Sequence, residues 1–399
     1  MGLIGKLFGN RRRRDPFVIE KGMLVKYHET DETRVQVPEG VIYIGKSAFE
    51  GCRGITEVVL PEGLKSIGER AFHGCYALRE INLPEGVNDI GKEAFFSCES
   101  MEKITLPQTL FTIGVSAFQN CAALKEITIP DGVENIRDYT FFQCRALEEI
   151  KLPPRLGNIG RYAFFNCLSL KNMDIPRGIR VIREKCFELC DSIVSVTLPD
   201  TLVRIDDHAF TSCYRLKSIV IPDGVTRIGS QAFAYCELAE TLTLPMTIEN
   251  IASDAFRGCG CLNELYIGSA YVCCESDIKT WQLIAMTKIM HTNTLGPYLI
   301  QGLSEWKIIQ LAFGIYKVKP DRDIARYLIE HALPACNRLM DTKRFDDLRL
   351  LLSLDLPGSV INEMTEIAIR KNAHEMYLLI VKHKEENGGF SDSSDRFEL

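Results

Sequence analysis

The sequence predicts a β-rich solenoid built on a parallel β-sheet, followed by an all-α C-terminal domain. Three observations carry this. Proline, cysteine, isoleucine and phenylalanine each recur at a step of 23 residues through ten copies. Apolar residues two apart stand before each proline, the alternation of a half-buried strand. Beyond Ile267 the step fails, and apolar residues recur at helical spacing. A period of this length marks stacked units, none of which buries its apolar face alone.

Taken in order, residues 1–16 read as a flexible basic N-terminus. Its apolar part precedes Arg11–Arg14, the reverse of a signal peptide. Leu3, Ile4, Leu7 and Phe8 lie near one helical face beside those arginines, which also permits weak membrane-surface contact. Residues 17–37 are expected to cap the first floor of the stack, and 38–274 to form the solenoid of ten repeats.

One repeat shows the assignment of each position. Ile81 and Leu83 point inward from a strand. Pro84 ends it, having no N–H for a ladder. Glu85-Gly86 turns the chain, although Thr109, Arg155, Thr201 and Thr247 replace that glycine elsewhere, so a positive φ is not obligatory there. Val87 and Ile90 run along a second side, Ala94-Phe95 closes the coil, and Cys98 and Met101 lead into the next strand. Val35 and Val37 before the array, and Leu265 and Ile267 after it, keep the same phase. Eleven strands are therefore expected.

The pattern C-x-x-L-x-x-I-x-L-P followed by V-x-x-I-G-x-x-A-F resembles the leucine-rich repeat of the BspA-like bacterial class. The opening FVIEKGMLVKYHETDETRVQVPEGV is similar to that class's usual start. The resemblance covers about residues 17 to 274. It implies a leucine-rich repeat solenoid with its sheet on one face, in a family associated with protein recognition and adhesion. Many relatives are surface or secreted proteins.

Residues 275–387 are expected to form the helical domain. SEWKIIQLAFGIYKV is apolar at Trp306, Ile309 and Phe313. PDRDIARYLIEHAL opens with Pro320 and Asp321 and sets Ile324, Leu328 and Ala332 on one face. FDDLRLLLSLDLPGS stops before Pro357, and two short helices flank Asn372. The paired helices loosely resemble ankyrin stacking, without a T-P-L-H motif. Residues 388–399 read as a flexible tail.

The totals exclude several classes. A net charge of -6 gives no electrostatic footprint for nucleic acid. No apolar run approaches the roughly 18 residues of a membrane span. Fifteen cysteines are many, but the periodic ones share no phase with histidine and form no C-x-x-C pair. They read as small buried groups in a reducing compartment, not as metal ligands. The seven histidines are scattered, and no phosphate-cradling loop appears. Asp206-Asp207 and Asp346-Asp347 read as solvent-facing charge. No catalytic residue, cofactor or metal is therefore assigned.

Strand positions between the inward residues face outward. These are Thr105, Thr128, Lys151, Asp174, Thr197, Val220, Thr243 and Tyr266, the candidate partner-binding residues. A second candidate is the basic cluster Arg155, Arg161, Arg177, Arg180, Arg183 and Lys185, which reads mainly as solvated edge charge. The reading that follows is a cytoplasmic, non-catalytic protein-binding scaffold. Two alternatives stand beside it: a surface or secreted adhesin that binds host protein or glycan, and an unrecognised enzyme in the helical C-terminal domain.

Overall fold

The computed structural model describes residues 15–268, 270–273, 280–293, 295, 300–301 and 303–387. The residues expected to touch membrane, and the tail 388–399, lie outside the described residues. There are two compact units. The first runs to Glu240 and includes Glu249–Cys261; the second takes Thr241–Ile248 and the chain from Leu262.

In the first unit the 23-residue step becomes a coil with three sides. On one side nine short strands follow one another from Arg34–Gln36 to Ser218–Val220. Where they pair they are parallel and offset by one repeat, as in Ile81 beside Ile104 and Ile127 beside Ile150. A second side carries two-residue strands in the same register, such as Asn135–Ile136 beside Asn158–Ile159. In the second unit Thr241–Leu244 pairs parallel with Glu264–Ile267. The expected eleven strands of the first kind are thus present, nine in one unit and two in the other.

The third side has a feature that the sequence did not announce. Two positions per coil are left-handed, and most are not glycine. One column runs Ser47, Arg70, Glu93, Ser116, Tyr139, Tyr162, Lys185, His208, Gln231, and the other includes Ser97, Asn120, Gln143, Asn166 and Leu189. Such conformations cost L-residues energy. Here they aim successive N–H groups at the next coil: Ser47 N donates to Glu69 O at 2.9 Å, Phe49 N to Ala71 O at 2.7 Å and Gly51 N to His73 O at 2.8 Å. The glycines after the prolines behave as the replacements implied. Gly40, Gly63 and Gly86 have positive φ, whereas Gly132, Gly178 and Gly224 do not.

The core is a set of columns. Phenylalanine rings from Phe49 to Phe256 stack at 4.9–5.5 Å with interplanar angles of 2–10°. Ile113, Ile136 and Ile159 are at most 1% exposed. At the N-terminal end a hairpin of Phe17–Glu20 and Met23–Tyr27 continues the second side, with Leu24 beside Ile44. Its Tyr27 lies on Phe49 at 5.0 Å and Phe17 on Tyr27 at 5.2 Å, so the aromatic column is covered.

In the second unit Ala270–Cys273 folds back antiparallel on Glu264–Ile267. Seven described helices follow: α1 (Thr280–Thr292), α2 (Glu305–Val318), α3 (Arg322–Glu330), α4 (Ala332–Thr342), α5 (Phe345–Leu352), α6 (Gly358–Arg370) and α7 (His374–Glu386). Ser304 caps α2 and Asp321 caps α3, each side chain accepting from backbone N–H groups. Ala332 belongs to α4 rather than to the helix of Ile324 and Leu328, because the chain breaks at His331 (φ -106, ψ 20). Gly314 lets α2 approach the last strand closely: a Cβ there would meet the Ala270 Cβ at 2.4 Å.

Candidate recognition surface

Most strands of the first side bury their middle residue and turn its neighbours outward, while Ile150 and Val196 are half-buried. In Glu126–Thr128 and Lys103–Thr105 the middle isoleucine is buried and both flanking residues are exposed. Thr105, Thr128, Lys151, Asp174, Thr197 and Val220 are all exposed in the first unit, Val220 at 55%. In the second unit Thr243 is half-buried and Tyr266 exposed. Parallel register sets Thr128 beside Lys151, Asp174 beside Thr197, and Thr243 beside Tyr266.

The outward face is not uniform. A shallow groove of about 360 Å³ lies over the strands from Lys103 to Lys151, lined by Lys103, Thr105, Gln108, Glu126, Thr128, Glu149 and Lys151. Lys151 pairs with Glu149 at 3.6 Å. Farther along, Asp174 is the one charged residue among Asn172, Asp174, Ser195, Thr197, Ser218 and Val220, and Ser195 Oγ donates to Asn172 Oδ1 at 2.8 Å. Another groove, of about 260 Å³, is lined by Glu57, Val59, Glu62, Glu80 and Asn82.

Beside this face runs a charge ladder that the sequence reading missed. Arg79, Glu102, Lys125, Glu148 and Lys171 occupy one column and alternate in sign. Lys125 meets Glu102 at 3.6 Å, and Lys171 meets Glu148 at 2.5 Å. The hydrogen bond and charge of Lys171 hold the Glu148 carboxyl below its ordinary value. Exposed pairs stabilise little, but alternation discourages a slip by one coil, which would set like charges together. Reading every twenty-third residue outside the apolar columns would have found it.

Three of the six residues of the basic cluster meet a carboxylate. Arg177 meets Asp200 at 3.6 Å, Arg161 meets Glu184 at 3.7 Å and Lys185 meets Glu188 at 3.4 Å, while Arg183 Nε donates to Asn158 Oδ1 at 2.8 Å. One carboxylate reading is corrected. Asp346 is exposed, but Asp347 is 1% exposed, between Lys317 Nζ at 2.6 Å and the Arg344 guanidinium. Arg344 also lies 4.6 Å over the Tyr271 ring and donates to the Tyr271 carbonyl. Helix spacing shows which residues α5 turns inward but not that a cation waits there.

The periodic cysteines are buried, and each thiol from Cys75 to Cys259 donates to the carbonyl of the phenylalanine 26 residues earlier, at 3.1–3.4 Å. They are therefore more than apolar filling: they hydrogen-bond one coil to the next. Burial pushes the Cys144 thiol up to about 12 and the Cys52 thiol up to about 11. Among the described residues no group of three or more His, Cys, Asp or Glu could hold a metal ion, and no helix is long and apolar enough to cross a membrane. His73 lies with Glu50 and Glu93 at 3.9 and 4.0 Å and stacks on Phe96 at 4.7 Å, gathering three coils that sequence distance had kept apart.

Parallel strands in a 23-residue register, with isoleucine, phenylalanine and cysteine columns inside, define a leucine-rich repeat protein. The model of the BspA type leucine rich repeat region matches residues 26–148 and 134–263, and the chain belongs to that family. No curated protein matches the chain. Among solved structures it is similar to a leucine-rich repeat protein from Bacteroides ovatus, with 28% identity, 63% of this chain and 85% of that chain covered, and a TM-score of 0.38. A leucine rich repeat protein from T. pallidum also has 28% identity, with 49% and 82% covered and a TM-score of 0.38. A leucine rich cell surface protein from Faecalibacterium prausnitzii has 23% identity, with 63% and 92% covered and a TM-score of 0.35.

Proposed function

We propose that the chain is a non-catalytic protein-binding scaffold whose outward strand residues hold the partner. The contacts assigned to it are Thr105, Thr128, Lys151, Asp174, Thr197 and Val220 in the first unit and Thr243 and Tyr266 in the second. One observation carries the reading: these side chains recur at a fixed interval, on strands whose inward residues are mostly buried in columns. A surface already ordered before binding loses little entropy when a partner arrives, so many weak contacts can sum. The groove over Lys103–Lys151 offers hydroxyls, an amide and both signs of charge, which suits the backbone and polar side chains of a polypeptide. A cytoplasmic location is part of the proposal, because a column of stacked thiols suits a reducing compartment.

The test is affinity capture with three versions of the full chain. The double variant Thr105→Arg, Thr128→Arg should lose the bound protein while its melting curve stays close to that of the parent. Arg145→Glu, an exposed change away from the strands, should keep it. Retention by the strand variant would remove this face from the proposal. Turnover by the protein in an activity screen would remove the non-catalytic reading, and recovery from the cell surface after fractionation would remove the cytoplasmic one.

A further inference from the structure

We propose that Cys236 and Cys259 form a redox-modification site, the pair that closes to a disulfide when the chain meets a small-molecule disulfide. All thirteen cysteines described as free are thiols in one chain, so the question is which pair reacts first. Reaction needs a partner sulfur within reach, access for the oxidant and an available thiolate.

Reach is general along the column. A disulfide needs Cα atoms about 4.4–6.8 Å apart, and neighbouring coils lie about 4.8 Å apart where their strands pair. The rings of Phe233 and Phe256, three residues before each cysteine, are 5.5 Å apart.

Access is not general. The thiols from Cys98 to Cys236 in this column are 0% exposed, whereas Cys259 is 8% exposed and belongs to the last coil of the first unit. At the other end Cys52 is 4% exposed, but burial and then the Glu29 carboxylate oppose its thiolate.

Cys236 donates to the Phe210 carbonyl at 3.4 Å, the longest bond of its kind in the column. The neighbouring Cys236 thiol also favours the thiolate at Cys259. Cys259, 8% exposed, is the attacking sulfur, and Cys236, 0% exposed, is the resolving one.

The step balances as follows. The Cys259 thiolate attacks one sulfur of the small disulfide; a mixed disulfide forms and one small thiolate leaves. Cys236 gives up its proton and attacks the Cys259 sulfur, and the second small thiolate leaves. Two protein thiols lose two electrons, the small disulfide gains them, and the two thiol protons end on the two released thiolates.

The full chain, incubated with oxidised glutathione and then alkylated and peptide-mapped, tests this. The expected product joins Cys236 to Cys259, persists in Cys261→Ser and is absent from Cys259→Ser. Before oxidation, iodoacetamide should modify Cys259 at least about tenfold faster than Cys144. A bridge between Cys52 and Cys75, a bridge between Cys259 and Cys261, glutathione on Cys261 alone, or equal alkylation of Cys259 and Cys144 would each overturn the proposal. The mapping of the parent chain decides the matter even if Cys259→Ser folds poorly.

Discussion

The two units solve the same problem, burial of an apolar interior, by opposite means. In the coiled unit each core position meets a copy of itself one turn away, phenylalanine on phenylalanine and isoleucine on isoleucine, and each thiol donates to a carbonyl of the coil before. The environment of a residue is then fixed by its phase, and polar groups collect at the edges in ladders. In the helical unit nothing repeats. Its interior depends on single contacts, such as Gly314 against Ala270 and the buried Asp347 between Lys317 and Arg344. Translation makes a core cheap to specify, whereas a one-off core needs individual partners.

The sharpest way to break the comparison is to place a charge inside a column. Ile136 is 0% exposed and pairs in register with the next coil through Ile159. Ile136→Asp should cost on the order of 4 kcal/mol, because a carboxylate there has no cation to meet. Chemical unfolding followed by circular dichroism measures it. Because each coil rests on its neighbours, the loss should spread along the array. A variant with the parent's midpoint would refute the column as the source of stability.

In the helical unit the corresponding test is removal of a charge. Asp347→Asn leaves Lys317 and Arg344 facing a neutral group, and removal of one member of a buried ionic cluster costs roughly 3 kcal/mol. Lys317 is partly exposed, so water recovers some of that loss and the effect should fall below that of Ile136→Asp. Unfolding of the full chain with denaturant checks the order of the two. If Asp347→Asn matched the parent, the cluster would be incidental to the helical core.

The same contrast explains what the sequence could disclose. The solenoid was legible because ten copies average away local noise: Pro84, Ile90, Phe95 and Cys98 each mean little alone and fix a coil together. The outward strip followed from strand alternation. The helices α2, α3, α5, α6 and α7 followed from apolar spacing, the Asp321 cap and the stop before Pro357. Other features left no signal. Most of the left-handed positions carry residues such as Ser, Tyr, Lys or Gln rather than glycine, so composition hid a conformation that the inter-coil hydrogen bonds impose. The helix α4 was hidden by Pro334 near its start and merged with α3 through Ala332. Asp347 looked like any surface acid, because burial beside cations from α2 and the start of α5 is a tertiary fact. Which face binds a partner is not written in the repeat at all, since Thr suits an exposed strand whether or not anything docks there.

A smaller effect concerns pH. Burial, and then the Arg70 guanidinium, hold the His73 ring below its ordinary value against the opposing pull of Glu50 and Glu93. A depressed histidine contributes stability that is complete above its unfolded value, near 6.5, and that fades as pH falls through its folded value. His73→Phe keeps a ring on Phe96 and removes the proton site. Its melting temperature should therefore drop less than the parent's between about pH 7 and pH 5. Equal drops would show that the three-coil cluster of Glu50, His73 and Glu93 does not couple protonation to folding.

The smallest expected effect is the most informative about function. Thr128 lies beside Lys151 on the outward face, is exposed, and no hydrogen bond of its side chain is needed by the coil beneath. Thr128→Ala removes a hydroxyl and a methyl from solvent, so stability should change by no more than about 0.5 kcal/mol. Ile127, one residue earlier, is 4% exposed, and Ile127→Ala should cost about 2–5 kcal/mol by leaving a cavity. Adjacent residues then separate two roles: one holds the coil and the other is free to meet a partner. A loss at Thr128 comparable to that at Ile127 would mean that this hydroxyl is structural, and the strip could no longer be read as a surface kept for recognition.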